Sequence, residues 1–299
     1  MMDARAQFDG YGYVHIPAFL TPELILRYNK NLTQVMQDCL HAPAQHVAFC
    51  GAQALFRVNE LLRYFGAHTL YILGLPALRR LTESLCEGEA VCTYESLLVR
   101  SAANASRVDW HRDMNHQQDG RIFTLGIYLD AALVEEDALQ ILPGHHLSGA
   151  AISTLTPMLA GGEITPARLP TQPGDLLLHD VRLPHASPPI VSDRVRRTLY
   201  FEFRPLRLLQ NADPHWLTER RRLNAVAKTL YARVHGRVDA EWSLTREETD
   251  WLQVLYQQRQ VLEGAEYASS AGTQANFKTP PMRTERKQSL PEAATPPSQ

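Results

Sequence analysis

Cysteine is scarce. Cys39, Cys50, Cys86 and Cys92 are the only four in 299 residues, and no two stand in a Cys-x-x-Cys spacing, so they read as free thiols suited to a reducing cytoplasm rather than as a disulfide framework. The N-terminus, MMDARAQFDGYGY, lacks the apolar segment of an export signal. No apolar run reaches the roughly 18 residues of a membrane-spanning helix. Neither sign of charge dominates: 30 Lys+Arg against 32 Asp+Glu leave a formal charge of −2, with no global footprint for nucleic acid or membrane. There is no internal repeat at periods of roughly 20 to 50 residues, which excludes a solenoid or propeller. The expected location is cytoplasmic, and the expected partner is a small molecule, with no nucleic acid and no membrane; the oligomeric state is open.

What is present is ordinary globular material, 44% hydrophobic and 21% charged, enough for one large core with appendages. Strand Tyr13–Ile16 precedes a helix with Thr21 as N-cap and Pro22 at its first position; Ile25, Tyr28, Leu32, Val35 and Met36 form its apolar stripe. A second helix is predicted over Pro76–Cys86, with Gly88 beyond its end. From about residue 91 the segments shorten and alternate: VCTYESLLVR, RIFTLGIYLD, LQILPG, GDLLLHDV, RRTLYFEFRP. Such strands, bounded by Gly, Pro and Asp, predict an antiparallel barrel or jelly roll rather than βαβ units. In the second, Phe123, Leu125, Ile127 and Leu129 share one face; Thr124, Gly126 and Tyr128 share the other, a candidate cavity wall. Beyond Pro205, Leu223, Val226, Leu230 and Val234 share a helical face, and a capping-box spacing, Thr245 to Glu248, opens a helix carrying Trp251, Leu255 and Leu262. These helices are expected to buttress the barrel. From residue 268 the composition turns to Pro, Ser, Thr and charge with little to bury. The predicted organisation is a single domain over 1–267, with a helical part at 1–90, a β core at about 91–206, a helical extension at 207–267, and a disordered tail at 268–299.

The most informative stretch is Val108-Asp-Trp-His-Arg-Asp113. His111 and Asp113, two apart on an extended strand, project to one face, where an imidazole nitrogen and a carboxylate oxygen can share a metal ion. Two His and one carboxylate on one face of an octahedron is the non-haem Fe(II) arrangement; candidates for the second imidazole are His116, His145, His146, His179 and His185. The letters His111-Arg112-Asp113 also mimic a kinase catalytic loop, but Met114 and Gln118 stand where that loop needs Leu and Asn. Downstream, a Pro173-Gly174-Asp175 turn starts a strand, His185 follows Pro184, and Arg196 lies eleven residues further on. In a hairpin this brings a guanidinium, suited to bidentate carboxylate recognition, within reach of a ligand beside His185.

In this order, three elements resemble the phytanoyl-CoA dioxygenase family of iron- and 2-oxoglutarate-dependent oxygenases: Trp110-His111-x-Asp113; Asp137-Ala-Leu-Gln-Ile-Leu-Pro-Gly-His-His146; and Gly174-Asp175 through His185-x-Ser187 to Arg196. The opening FDGYGYVHIPAFLTPE looks like the family's start, and the resemblance covers roughly 8–206. It implies a mainly β fold with flanking helices around a double-stranded β-helix, the jelly-roll or cupin-like core. It implies Fe(II) held by His111, Asp113 and His185; 2-oxoglutarate held at its distal carboxylate by Arg196 and Ser187, with His146 nearby and Arg57 and Arg100 lining the pocket; dioxygen as co-reactant; and hydroxylation of a small molecule with release of succinate and CO2. Asp113 argues against halogenation, because a carboxylate fills the position a chloride would need. Asp137 departs from the family's usual Gly and His145 from its small residue, which implies a differently shaped cavity mouth; Gly126 departs from a bulky aromatic, which suggests added room beside the cofactor unless Tyr128 refills it. The candidate polar contacts to substrate are His15, Arg100, Arg112, His116 and Tyr128. The alternatives are a non-catalytic jelly-roll binding protein and a cupin-type metal enzyme that does not use 2-oxoglutarate.

Overall fold

The computed structural model describes residues 3–39, 47–50, 54–104, 107–115, 120–235 and 242–257. The predicted tail lies outside them, as do His116, Leu262 and the end of the predicted C-terminal extension. In chain order the elements are α1 (Ala4–Tyr11), β1 (Tyr13–Ile16), α2 (Pro22–Cys39), β2 (Val47–Cys50), β3 (Ala54–Asn59), α3 (Leu61–Gly74), α4 (Pro76–Cys86), β4 (Ala90–Ser101), β5 (Val108–His111), β6 (Phe123–Tyr128), β7 (Leu139–Ile141), α5 (Ile152–Ala160), β8 (Ala167–Leu169), β9 (Leu176–Asp180), β10 (His185–Ser187), β11 (Val195–Pro205), α6 (Pro214–Val234) and α7 (Arg246–Gln257). No helix among the described residues is long and apolar enough to cross a membrane.

The strands form a seven-stranded sheet in the order β1-β9-β6-β11-β4-β3-β2 and a four-stranded sheet in the order β5-β10-β7-β8, with antiparallel pairing throughout. Period-two alternation gives the large sheet two unlike faces. Its outer face, with Leu97, Val99, Phe123, Leu125, Ile127, Leu176, Leu178, Leu199 and Phe201, joins the main core with buried residues of α2, α3, α4 and α6. Its inner face looks to the small sheet, and Tyr128 and Leu177 pack there with Leu139, Ile141 and Leu169. This is the jelly-roll core with flanking helices.

Local signals account for the helices that were anticipated. The Leu24 N–H donates to Thr21 Oγ1 at 3.4 Å at the head of α2. Thr245 and Glu248 cap α7 reciprocally, at 2.8 and 3.1 Å. At the end of α4, Glu87 rather than Gly88 takes the left-handed conformation, with φ 53°. Two parts of the plan differ from the sequence reading. Residues 1–90 are not only helical: the anticipated strand Tyr13–Ile16 is β1 and borders one edge of the large sheet, and β2 and β3, which were not anticipated, extend the other beyond β4. The C-terminal helices do buttress, but through α3. There Gly74 packs so tightly on α6 that an added Cβ would stand 2.3 Å from the Ala227 carbonyl oxygen. A buried ion pair, Arg220 to Glu95 at 2.9 Å, also ties α6 to β4.

Candidate metal centre

Strands β5 and β10 pair antiparallel with His111 directly opposite His185, and their rings stand 4.1 Å apart. Asp113, two residues after His111, turns its carboxylate to the same place: Oδ1 lies 3.5 Å from His111 Nε2 and 3.6 Å from His185 Nε2. One ligand atom from each of the three residues falls within 4.8 Å of the others. The second nitrogen of each imidazole is tied to backbone, His111 Nδ1 to Asp109 O and His185 Nδ1 to Leu183 O, both at 2.9 Å. A carbonyl only accepts, so each Nδ1 carries the proton and each Nε2 presents its lone pair to the shared centre. Burial, with His111 beside it, pushes the His185 imidazole down to about 3, which keeps it a neutral donor. Burial works against the Asp113 carboxylate, but the surrounding imidazoles of His185, His111 and His179 outweigh it and hold its pKa well below the usual range.

The chain between the ligands is stapled from outside. Arg112, expected as a possible substrate contact, instead donates to the carbonyls of Arg182 at 2.7 Å and Ala150 at 2.8 Å, with Ser148 and His145 at 3.3 and 3.4 Å. The Met114 N–H donates to Val181 O at 3.1 Å. These contacts fix the bend that brings Asp113 under the two imidazoles.

On the large sheet, Arg196 of β11 pairs with Arg100 of β4; both are almost wholly buried, at 1% and 0% exposure. Arg100 donates to the Ser187 and Pro188 carbonyls, and burial, then Arg196, lowers its pKa to about 9. Arg196 Nη1 is held by Asp137, through the backbone carbonyl and by Oδ2 at 3.1 Å, while its Nε is buried without a hydrogen-bond partner. Asp137, which sequence reading associated only with the shape of the cavity mouth, is thus the residue that orients Arg196. Ser187 is buried on β10, two residues past His185.

Arg57 lies on β3 opposite Leu98; burial and the charge of Arg57 act against protonation of His111, but the Asp113 carboxylate outweighs them and holds its pKa above the usual value. His146 goes elsewhere: its Nε2 meets Asp9 O at 3.2 Å and its ring abuts Gly12, so it braces α1 against the barrel. The added room anticipated at Gly126 is filled, because Tyr200, Thr198 and Tyr128 would lie 3.0, 3.2 and 3.5 Å from a Cβ there. His15 is paired with Asp175 at 2.8 Å, and Tyr128 is buried in the inter-sheet cluster. His179, one of five candidates for the second imidazole, hydrogen-bonds the carboxylate of Asp113 at 3.2 Å, as does Thr124 at 3.0 Å. The signal for both was parity: they share the inner face of adjacent strands.

Residues 8–198 match the family model for phytanoyl-CoA dioxygenase. The chain belongs to the phytanoyl-CoA dioxygenase family. It is accordingly a non-haem iron, 2-oxoglutarate-dependent oxygenase, and the donor set fits: two backbone-anchored imidazoles and one carboxylate for the iron, and a buried guanidinium edge for a carboxylate. Solved structures share the fold. AviO1 from Streptomyces viridochromogenes Tue57 is 24% identical, with 67% of this chain and 93% of that one covered and a TM-score of 0.58. The non-haem alpha-ketoglutarate-dependent carbocyclase SnoK from nogalamycin biosynthesis is 18% identical over 68% and 83%, with a TM-score of 0.56. EctD from S. alaskensis with bound Fe is 14% identical over 68% and 75%, with a TM-score of 0.59. No curated protein matches the chain.

Proposed function

We propose that this oxygenase hydroxylates a polar small molecule, with His111, Asp113 and His185 holding Fe(II), and Arg196, Ser187 and Arg100 receiving the far carboxylate of 2-oxoglutarate. The observation that carries the reading is the convergence of two Nε2 atoms and Asp113 Oδ1, with both Nδ1 atoms tied back to carbonyls. When bound, iron with 2-oxoglutarate and dioxygen supplies an oxidant strong enough to hydroxylate a C–H bond, releasing succinate and CO2. The chain's own task is positioning and exclusion of water. The anchored imidazoles hold their lone pairs on the centre. Asp137 turns Arg196 so that its free Nε edge meets the incoming anion, and the inter-sheet cluster of Tyr128, Leu139, Ile141, Leu169 and Leu177 closes that end of the cavity to solvent.

The polar character of the substrate is supported by the rest of the inner face. Asn59, Tyr94, Tyr200 and Glu202 are half-buried there, in register across β3, β4 and β11, with Arg57 beside His111. Such a wall suits a hydrogen-bonding molecule better than an acyl chain. Three buried free thiols, Cys39, Cys86 and Cys92, support a reducing, cytoplasmic location. A single domain over 1–267 is supported by the shared core of the large sheet with α2, α3, α4 and α6.

The test is anaerobic addition of Fe(II) and then 2-oxoglutarate to the purified protein. The weak visible charge-transfer band of the chelate should appear, and it should be lost in His185→Ala. A folded protein that binds Fe(II) but gives no band would favour a cupin-type enzyme without this cosubstrate, and one that binds neither would favour a non-catalytic binding protein. With the band in hand, candidate polar metabolites are screened by succinate release.

A further inference from the structure

Asp113 has two oxygens, and the structure gives them different neighbours. Oδ1 faces the Nε2 atoms of His111 and His185 at 3.5 and 3.6 Å. Oδ2 instead meets Thr124 Oγ1 at 3.0 Å and His179 Nε2 at 3.2 Å. Thr124 on β6 and His179 on β9 are directly opposed across the two strands. Both point inward, and His179 is buried, its ring 4.5 Å from that of His185. An ionised carboxylate accepts and does not donate, so Thr124 gives its O–H and His179 its Nε2–H to the same oxygen. Neither residue is needed as an iron ligand, and together they occupy the side of the carboxylate turned away from the imidazoles.

We infer that Thr124 and His179 are positioning residues that hold Asp113 to a single ligating oxygen. The inference rests on the reading of this centre as an iron site. A carboxylate free to rotate about its Cβ–Cγ bond can offer both oxygens to a metal and so fill a further coordination position. With two imidazoles and one carboxylate oxygen, three of six positions stay open, two for the chelating cosubstrate and one for oxygen. With both oxygens engaged, only two remain. The pair therefore acts on cosubstrate binding through Asp113, without touching the cosubstrate.

The test uses the full chain under anaerobic conditions, with Fe(II) affinity, 2-oxoglutarate affinity of the iron-loaded protein and melting temperature of the iron-free protein measured for each variant. In Thr124→Val/His179→Phe the dissociation constant for 2-oxoglutarate should rise about 10- to 100-fold, the scale seen when partners of metal ligands are lost, and the Fe(II) constant should change less. Thr124→Val alone, close in shape, should raise the 2-oxoglutarate constant about tenfold, since one hydrogen bond to a charged acceptor is removed; this variant carries the test if the double variant fails to fold. His179→Gln, which keeps a donor, should stay near wild type. The inference is overturned if folded variants bind 2-oxoglutarate as the wild type does, if Fe(II) affinity falls while 2-oxoglutarate affinity holds, or if His179→Gln falls as far as His179→Phe. Absence of the chelate band in the wild type would instead remove the iron reading itself.

Discussion

The pairing of Arg196 with Asp137 allows the anion-binding role of Arg196 to be separated from its structural one. Two guanidiniums, Arg100 and Arg196, and one carboxylate, Asp137, are buried together at 0%, 1% and 0% exposure. Their sum leaves one positive charge for one incoming carboxylate. Arg196→Met removes the guanidinium and strands Asp137, which keeps only Arg194 at 3.7 Å, the Leu133 N–H at 3.0 Å and the nearby charge of Arg100. Removing one member of a buried pair destabilises by about 3–5 kcal/mol. The partners left to Asp137 put this case at the low end, roughly 3 kcal/mol, or a loss of about 6–12 °C in melting temperature for a domain of this size. Loss of a buried, charge-assisted contact weakens binding by about 2–5 kcal/mol, at least a 30-fold rise in the 2-oxoglutarate dissociation constant. Asp137→Asn/Arg196→Met then distinguishes the two effects. With both charges gone the melting temperature should recover most of its loss, and 2-oxoglutarate binding should stay weak. Calorimetry and the anaerobic chelate titration read both quantities on the same samples. A double variant that regains 2-oxoglutarate affinity along with its stability would refute the assignment of Arg196 as the anchor.

Further predictions follow from other contacts. His68, its ring stacked on Phe65 at 4.3 Å, is pushed down to about 4 by burial, with Arg27 adding to the effect. The unfolded chain, at roughly 6.5, takes up the proton first as pH falls, so about 2–3 kcal/mol of stability present above pH 6.5 should be lost between about pH 6.5 and 4. His68→Phe should flatten that part of the curve in urea titrations at several pH values, and an unchanged slope would contradict the assignment. Gly74→Ala drives a methyl into the Ala227 carbonyl and should destabilise by about 1–3 kcal/mol or more through separation of α3 and α6, as measured by thermal unfolding; a neutral result would mean that α6 shifts at little cost. Arg112→Met removes four carbonyl contacts around the metal loop and should weaken Fe(II) affinity about tenfold while leaving Arg196 untouched. Wild-type Fe(II) affinity in a folded variant would show that the staple does not position Asp113.

The parts of this protein that were legible in its sequence are those where a period or a fixed spacing carries the information. Alternation in β6 separated Phe123, Leu125 and Ile127 from Thr124, Gly126 and Tyr128; the first set joins the core shared with the helices, and the second faces the small sheet, with Thr124 on Asp113 and Tyr128 in the inter-sheet cluster. Helix α3 was not legible because LLRYFGAHTLYILG is apolar almost all round; ten of its fourteen residues are buried, so no stripe marks it, and without it the role of α6 as a buttress had no visible partner. Strands β2 and β3 are short and sit in a stretch with no turn signal as strong as those further on. In the site, His111 and Asp113 declared themselves by spacing and His185 through the family resemblance, but their supports depend on register, which one strand does not encode. Thr124 and His179 become neighbours only when β6 pairs with β9 as it does, and Asp137 meets Arg196 only because the segment before β7 folds against the start of β11. A register slip of one residue would turn His179 outward and put Leu178 in its place. The apolar outer-face residues Leu176, Leu178, Phe123 and Leu125 prevent that slip, because they would have to leave the main core for the inner face and its polar contacts around Asp113. The hydrophobic effect acting on one face of the sheet thus fixes the polar contacts on the other, and the geometry of the metal centre is set largely by side chains that never touch it.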